Sequence, residues 1–194
     1  MRAVCRPSVS VGDLNQRRSQ NGARGAKNRQ RATDPFGLGD SGSMNRKITG
    51  KDLTREAPRS PRIRVGGYAI LGRTIDKCRA LVAGNIGEYH FDCPLDNMLF
   101  GLKGVKGDDF KAQIEQGASD QEMVEWLNQS GEKKTPEEIK RWAKEVEASS
   151  LYNDLEKRDF FVEETRKLGL DSAKTTTFEW LEIDDRVSHA QQAA

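Results

Sequence analysis

The stretch SDQEMVEWLNQSGEKKTPEEIKRWAKEV, residues 119–146, carries the same start signal twice. Ser119 is followed three residues later by Glu122, and Thr135 by Glu138. In this pattern the hydroxyl accepts the N–H of the third residue, and that residue's carboxylate returns to the N–H of the cap. Pro136 suits a first helical turn, where its missing N–H costs nothing. Behind each cap, apolar residues recur at helical spacing: Met123, Trp126 and Leu127, then Ile139, Trp142 and Val146. Gly131 supplies a stop between them. Two short amphipathic helices joined by a polar turn imply an all-α domain.

The same grammar extends outward. Residues 65–84 place Tyr68, Leu71, Ile75, Cys78 and Val82 along one helical stripe, with Gly84 and Asn85 as the stop. Pro94 opens a helix with Leu95, Met98, Leu99 and Leu102 inward. Asp108 opens another, carrying Phe110 and Ile114 to Gly117. A helix is predicted over 154–168, with Phe160 and Phe161 both inward, and a short one after Thr177 with Phe178, Trp180 and Leu181. Only Glu88 to Phe91 alternates as a strand would. The expected fold is an irregular bundle of about six short helices with minimal strand. It occupies residues 44–188, with 189–194 as a frayed tail.

Residues 1–43 read differently. Eight cations (Arg2, Arg6, Arg17, Arg18, Arg24, Lys27, Arg29, Arg31) stand against three acids, leaving +5. The whole chain carries +2, so the remainder carries −3. No apolar period runs through this segment, and such a composition buries too little surface to offset ordering entropy. It is expected to be a disordered basic extension, with Met44 a candidate true start. A transit peptide would need a Leu or Phe stripe that the segment lacks. The acidic remainder argues against nucleic acid as the domain's partner. No apolar run is long enough to span a membrane. With three cysteines (Cys5, Cys78, Cys93) and no disulfide framework, a cytoplasmic setting is expected.

Two segments carry candidate chemistry. Pro58-Arg59-Ser60-Pro61-Arg62-Ile63-Arg64-Val65-Gly66-Gly67 projects three arginines from a stiff run, which then meets two glycines at the expected start of a helix. A helix N-terminus with nearby guanidinium groups favours anions. Arg59, Arg62, Arg64, Gly66 and Gly67, with Asp76 to orient a guanidinium, are the candidate ligand-binding residues. The competing reading pairs these arginines with carboxylates of an acidic domain. The second segment, Glu88 to Asp96, places Cys93 at a helix N-terminus, where the dipole favours thiolate. His90 is the candidate base for it. The same His90 and Cys93, with Cys78 and Asp92 or Asp96, are alternative metal ligands, but no paired Cys-x-x-Cys supports a site, and no metal or cofactor is expected. Cys78 lies on the apolar stripe and reads as core. Trp126, Trp142 and Trp180 read as core, and Lys133 to Glu147 as a solvated helix face.

Leu53 to Arg62, Gly66-Gly67-Tyr68, Ile75 to Ala80, Gly87-Glu88-Tyr89, Cys93-Pro94-Leu95-Asp96 and Thr176 to Leu181 closely resemble a bacterial family catalogued as a domain of unknown function, number 5069. The resemblance runs over about 52–185. It implies a small cytosolic single-domain protein and offers no catalytic residue. The functional expectation is a non-enzymatic helical module that binds an anionic small molecule or a protein partner through 58–67. The alternative is a small enzyme using Cys93 and His90 on an acidic substrate. The oligomeric state is not legible.

Overall fold

Both capping boxes close. Ser119 Oγ accepts the Glu122 N–H at 3.2 Å while the Glu122 carboxylate accepts the Ser119 N–H at 2.7 Å. Thr135 and Glu138 repeat the exchange at 3.2 and 2.7 Å. Each cap satisfies amides that the helix itself leaves unpaired, contributing about 1 kcal/mol. The helices so started are α4 (Asp120–Gln129) and α5 (Pro136–Ala148).

The computed structural model describes residues 48–192. The expected extension over 1–43 and Met44 lie outside these residues. Five further α-helices are present: α1 (Leu71–Ala83), α2 (Pro94–Lys103), α3 (Gly107–Glu115), α6 (Arg158–Lys167) and α7 (Thr177–Gln192). A 3-10 turn at Leu151–Asn153 precedes α6. Among the described residues there is no strand, only an isolated bridge between Val65 and Tyr68. The fold is all-α. Glu88 to Phe91, expected as extended, pairs with nothing as a strand.

Three boundaries differ from expectation. Helix α1 starts at Leu71 rather than near Val65. Gly66 and Gly67 have φ of 58° and 88° and make a two-residue turn closed by Val65 and Tyr68, which exchange backbone hydrogen bonds at 3.2 and 3.1 Å. Left-handed backbone at two successive residues is glycine's province and cannot continue as helix. At Gly66 a Cβ would also lie 2.4 Å from Val124 Cγ1, so the turn packs directly on α4. Helix α6 starts at Arg158, four residues late. Of the two phenylalanines expected inward, Phe161 is fully buried and Phe160 is 46% exposed. Successive helical side chains point about 100° apart, so one narrow face cannot hold both. Helix α7 continues to Gln192, through the residues expected to fray from His189. Its cap is Thr176, whose Oγ1 accepts the Glu179 N–H at 3.2 Å, while Thr177 accepts the Leu151 N–H.

The core lies mainly in two clusters. One joins α1 through α5 by way of Leu71, Ile75, Phe100, Phe110, Ile114, Leu127 and Ile139. The other joins α5, α6 and α7 through Val146, Phe161, Phe178 and Trp180. Trp142 touches both. Each such buried Leu or Phe contributes about 1.5–3 kcal/mol. Ile70 precedes α1, fully buried at φ 68°, a strained setting for a β-branched residue. Its N–H donates to Pro61 O at 2.9 Å, tying the arginine-rich loop to the start of α1.

Candidate functional site

Each arginine of the loop is held by carboxylates. Arg59 forks onto Asp76 through Nε and Nη2 at 2.8–3.1 Å, and its Nη1 reaches Asp120 at 2.5 Å. The Arg59 N–H also donates to Asp76 at 2.8 Å. Arg79 donates to the other oxygen of Asp120 at 2.7 Å. Arg62 reaches Glu147 at 2.8 Å, Glu182 at 3.2 Å and Thr176 Oγ1 at 3.2 Å. Arg64 donates to the second oxygen of Glu147 and to Ala143 O. Burial alone would weaken the charge on Arg59, but Asp76 and Asp120 more than offset it and push its pKa up. Asp120 shows the reverse. Burial raises its carboxyl, but the hydrogen bonds and charges of Arg59 and Arg79 hold it below the usual carboxylate range. Arg59, Arg62 and Asp76, expected at a ligand, therefore fasten the loop to α1, α4, α5 and α7.

The glycines lead elsewhere. Gly66 and Gly67 do not start a helix, so no helix N-terminus offers its amides there. Together with Arg64 and Asn128 they form one wall of a groove of about 630 Å³. The other wall is α5, which supplies Pro136, Ile139 and Ala143 as an apolar floor and Lys140 and Lys144 as a cationic rim, with Lys134 just before the helix. Lys134 pairs with Glu132 at 2.6 Å. Lys140 and Lys144 are exposed, and among the described residues neither makes an ion pair or a side-chain hydrogen bond. The sequence held a signal for this. One turn from Lys140 on either side lie Pro136 and Lys144, and one turn beyond Lys144 lies Ala148. The acid three residues after Lys144 is Glu147, already shared by Arg62 and Arg64. Glu137 lies three residues before Lys140 but makes no ion pair with it, so among the described residues this face presents two ammonium groups without an ion-pair partner.

His90 and Cys93 occupy different environments. His90 is exposed. Cys93 is only 5% exposed, and its sulfur accepts from Lys77 Nζ at 3.3 Å. The same ammonium donates to Asp96 at 2.8 Å, and Thr74 Oγ1 donates to the other Asp96 oxygen at 2.8 Å. Lys77 and Asp96 are 3% and 0% exposed. Burial disfavours the Lys77 charge, but Asp96 beside it outweighs that and pushes the Lys77 pKa up. Cys93 does sit at the start of α2, as expected, with its N–H donating to Asp96 at 3.3 Å. Cys93 is thus a buried cap beside an ion pair, whereas His90 faces solvent. Burial pushes the Cys78 thiol up to about 12, as a core cysteine requires. Among the described residues no three His, Cys, Asp or Glu side chains gather as a metal set, so His90, Cys93, Cys78 and Asp92 or Asp96 do not converge.

A second buried network uses a residue with no evident role in the sequence. Arg73 forks onto Asp185 at 2.6 and 3.1 Å. The Tyr89 hydroxyl donates to Asp185 at 2.9 Å and lies 3.0 Å from His189 Nε2. The far end of α7 is thereby anchored to α1, which accounts for helix where fraying was expected.

These features define an all-α domain whose arginine-rich loop is a structural clamp and whose exposed cations line a groove on α5. No helix of the described residues is long and apolar enough to cross a membrane. The chain belongs to the family described as Domain of unknown function (DUF5069), whose model matches residues 55–187. Among curated proteins nothing matches the chain.

Proposed function

We propose that the protein is a non-enzymatic module that binds an anionic partner in the groove between the Gly66-Gly67 turn and α5. The observation that carries this reading is the pair of exposed ammonium groups of Lys140 and Lys144 beside Arg64, which have no ion-pair partner among the described residues. Like charges one helical turn apart repel by about 0.2–0.5 kcal/mol, and among the described residues neither lysine has an ion-pair partner, so an anion in the groove would relieve that repulsion. The expected ligand loop contributes to this site through Arg64, Gly66 and Gly67. Free thiols at Cys78 and Cys93 support a reducing, cytoplasmic setting.

A thermal-shift series tests the reading with inorganic phosphate, polyphosphate and citrate at low salt. Saturation near 100 times Kd stabilises by about 2.7 kcal/mol. The melting temperature of the wild type should rise with at least one anion. The Lys140→Glu, Lys144→Glu variant should lose that rise while its unliganded stability stays within about 0.5 kcal/mol of wild type. No rise with any anion, or an equal rise in the variant, refutes the site.

A further inference from the structure

The chemistry of the groove narrows the class of anion. The positive groups do not converge on one point. Lys140 and Lys144 are successive on one face of α5, and Lys134 lies before its first turn. From Pro136 to Lys144 the helix axis runs about 12 Å. A compact anion would neutralise one end of this rim and leave the other bare. Between the cations the floor is aliphatic, made by Pro136, Ile139 and Ala143. Among the described residues no aromatic side chain lines the groove, so these offer no platform on which a nucleobase stacks. The sequence beyond residue 43 carries a net −3, which repels a long polyanion such as nucleic acid while leaving the local rim attractive. A groove of about 12 Å matches about four residues of extended peptide at ~3.3 Å each.

We infer that the groove receives an extended acidic segment of a protein partner, with its carboxylates on Lys140 and Lys144 and one aliphatic side chain on the Ile139 and Ala143 floor. The inference rests on the anion-binding reading above and adds the occupant. Alternating side chains of an extended segment face opposite ways, so acids at the rim and an aliphatic residue on the floor are compatible with one backbone. Attraction to a rim of this kind is screened within a Debye length, so binding weakens with salt while the aliphatic contribution persists.

Fluorescence anisotropy on the full chain tests this with a short labelled peptide, a leucine flanked on each side by acidic residues. Controls are the same peptide with serine for leucine, the same peptide with amides for acids, and labelled polyphosphate and oligothymidylate. The acidic leucine peptide should bind, and serine should weaken it about tenfold or more, the scale of one buried aliphatic side chain. Amide replacement and the Lys140→Glu, Lys144→Glu variant should each abolish binding, the variant being confirmed folded by circular dichroism. Equal affinity for the leucine and serine peptides overturns the inference. So does binding of polyphosphate or oligothymidylate at these lysines without binding of the peptide, an outcome that leaves the broader anion-binding reading standing. If none of the anions binds, both readings fall.

Discussion

The arginines of residues 59–79 and the lysines of α5 carry the same charge and meet opposite fates. Arg59, Arg62, Arg64, Arg73 and Arg79 each find a carboxylate, and Lys77 finds Asp96. Lys140 and Lys144 find none among the described residues. The difference teaches that the most conspicuous cationic motif in the chain is the less available one. Planar guanidinium groups that can fork onto carboxylates were consumed in joining loop, α1, α4, α5 and α7. The ammonium groups of Lys140 and Lys144, in an ordinary Lys/Glu-rich stretch, have no ion-pair partner among the described residues.

The contrast can be attacked first at its most buried pair. Asp96→Ala strands the Lys77 ammonium without a counter-charge, and should cost about 3–5 kcal/mol by urea unfolding. A loss below 1 kcal/mol would mean that Lys77 is not held as an ion. A smaller effect is expected at Asp120. Its folded pKa is depressed, so its contribution is fully present above the unfolded carboxyl value of about 3.9 and is lost as pH falls through the folded value. Stability measured against pH should therefore drop on acidification below about 4, and Asp120→Asn should flatten part of that drop. An unchanged slope in the variant would show that Arg59 and Arg79 do not hold the carboxylate in solution. The mildest effect belongs to Glu147→Gln. Its partners are about one-third exposed, so stability should fall by no more than about 1 kcal/mol. Arg64 would then be released toward the groove, and anion affinity at Lys140 and Lys144 should rise by about threefold. A fall in affinity would show that Arg64 serves the groove only while Glu147 holds it.

Much of the fold was legible because its signals are local. Ser119 with Glu122 and Thr135 with Glu138 act across three residues, and Pro94 and Gly84 act on the turn they occupy. The start of α1 was not legible from its apolar stripe. Tyr68 fits the stripe and is fully buried, yet it sits in a turn, because burial does not distinguish a helix from a loop folded onto the same core. The end of α7 was missed for a related reason. His189 gains its place from Tyr89, a hundred residues away.

The candidate site divides in the same way. That the loop arginines face either an anion or an acidic domain follows from their residue types alone. Which of the two holds depends on Asp120, Glu147 and Glu182, and Glu182 lies 120 residues from Arg62. The sequence by itself determined the all-α class, the helix caps and the candidate residues, since each depends on neighbours within a turn or two. Only the tertiary structure decided which charges are spent and which are free. Electrostatic pairing is set by distance in space, and folding brought the carboxylates to the loop while leaving Lys140 and Lys144 on an open groove.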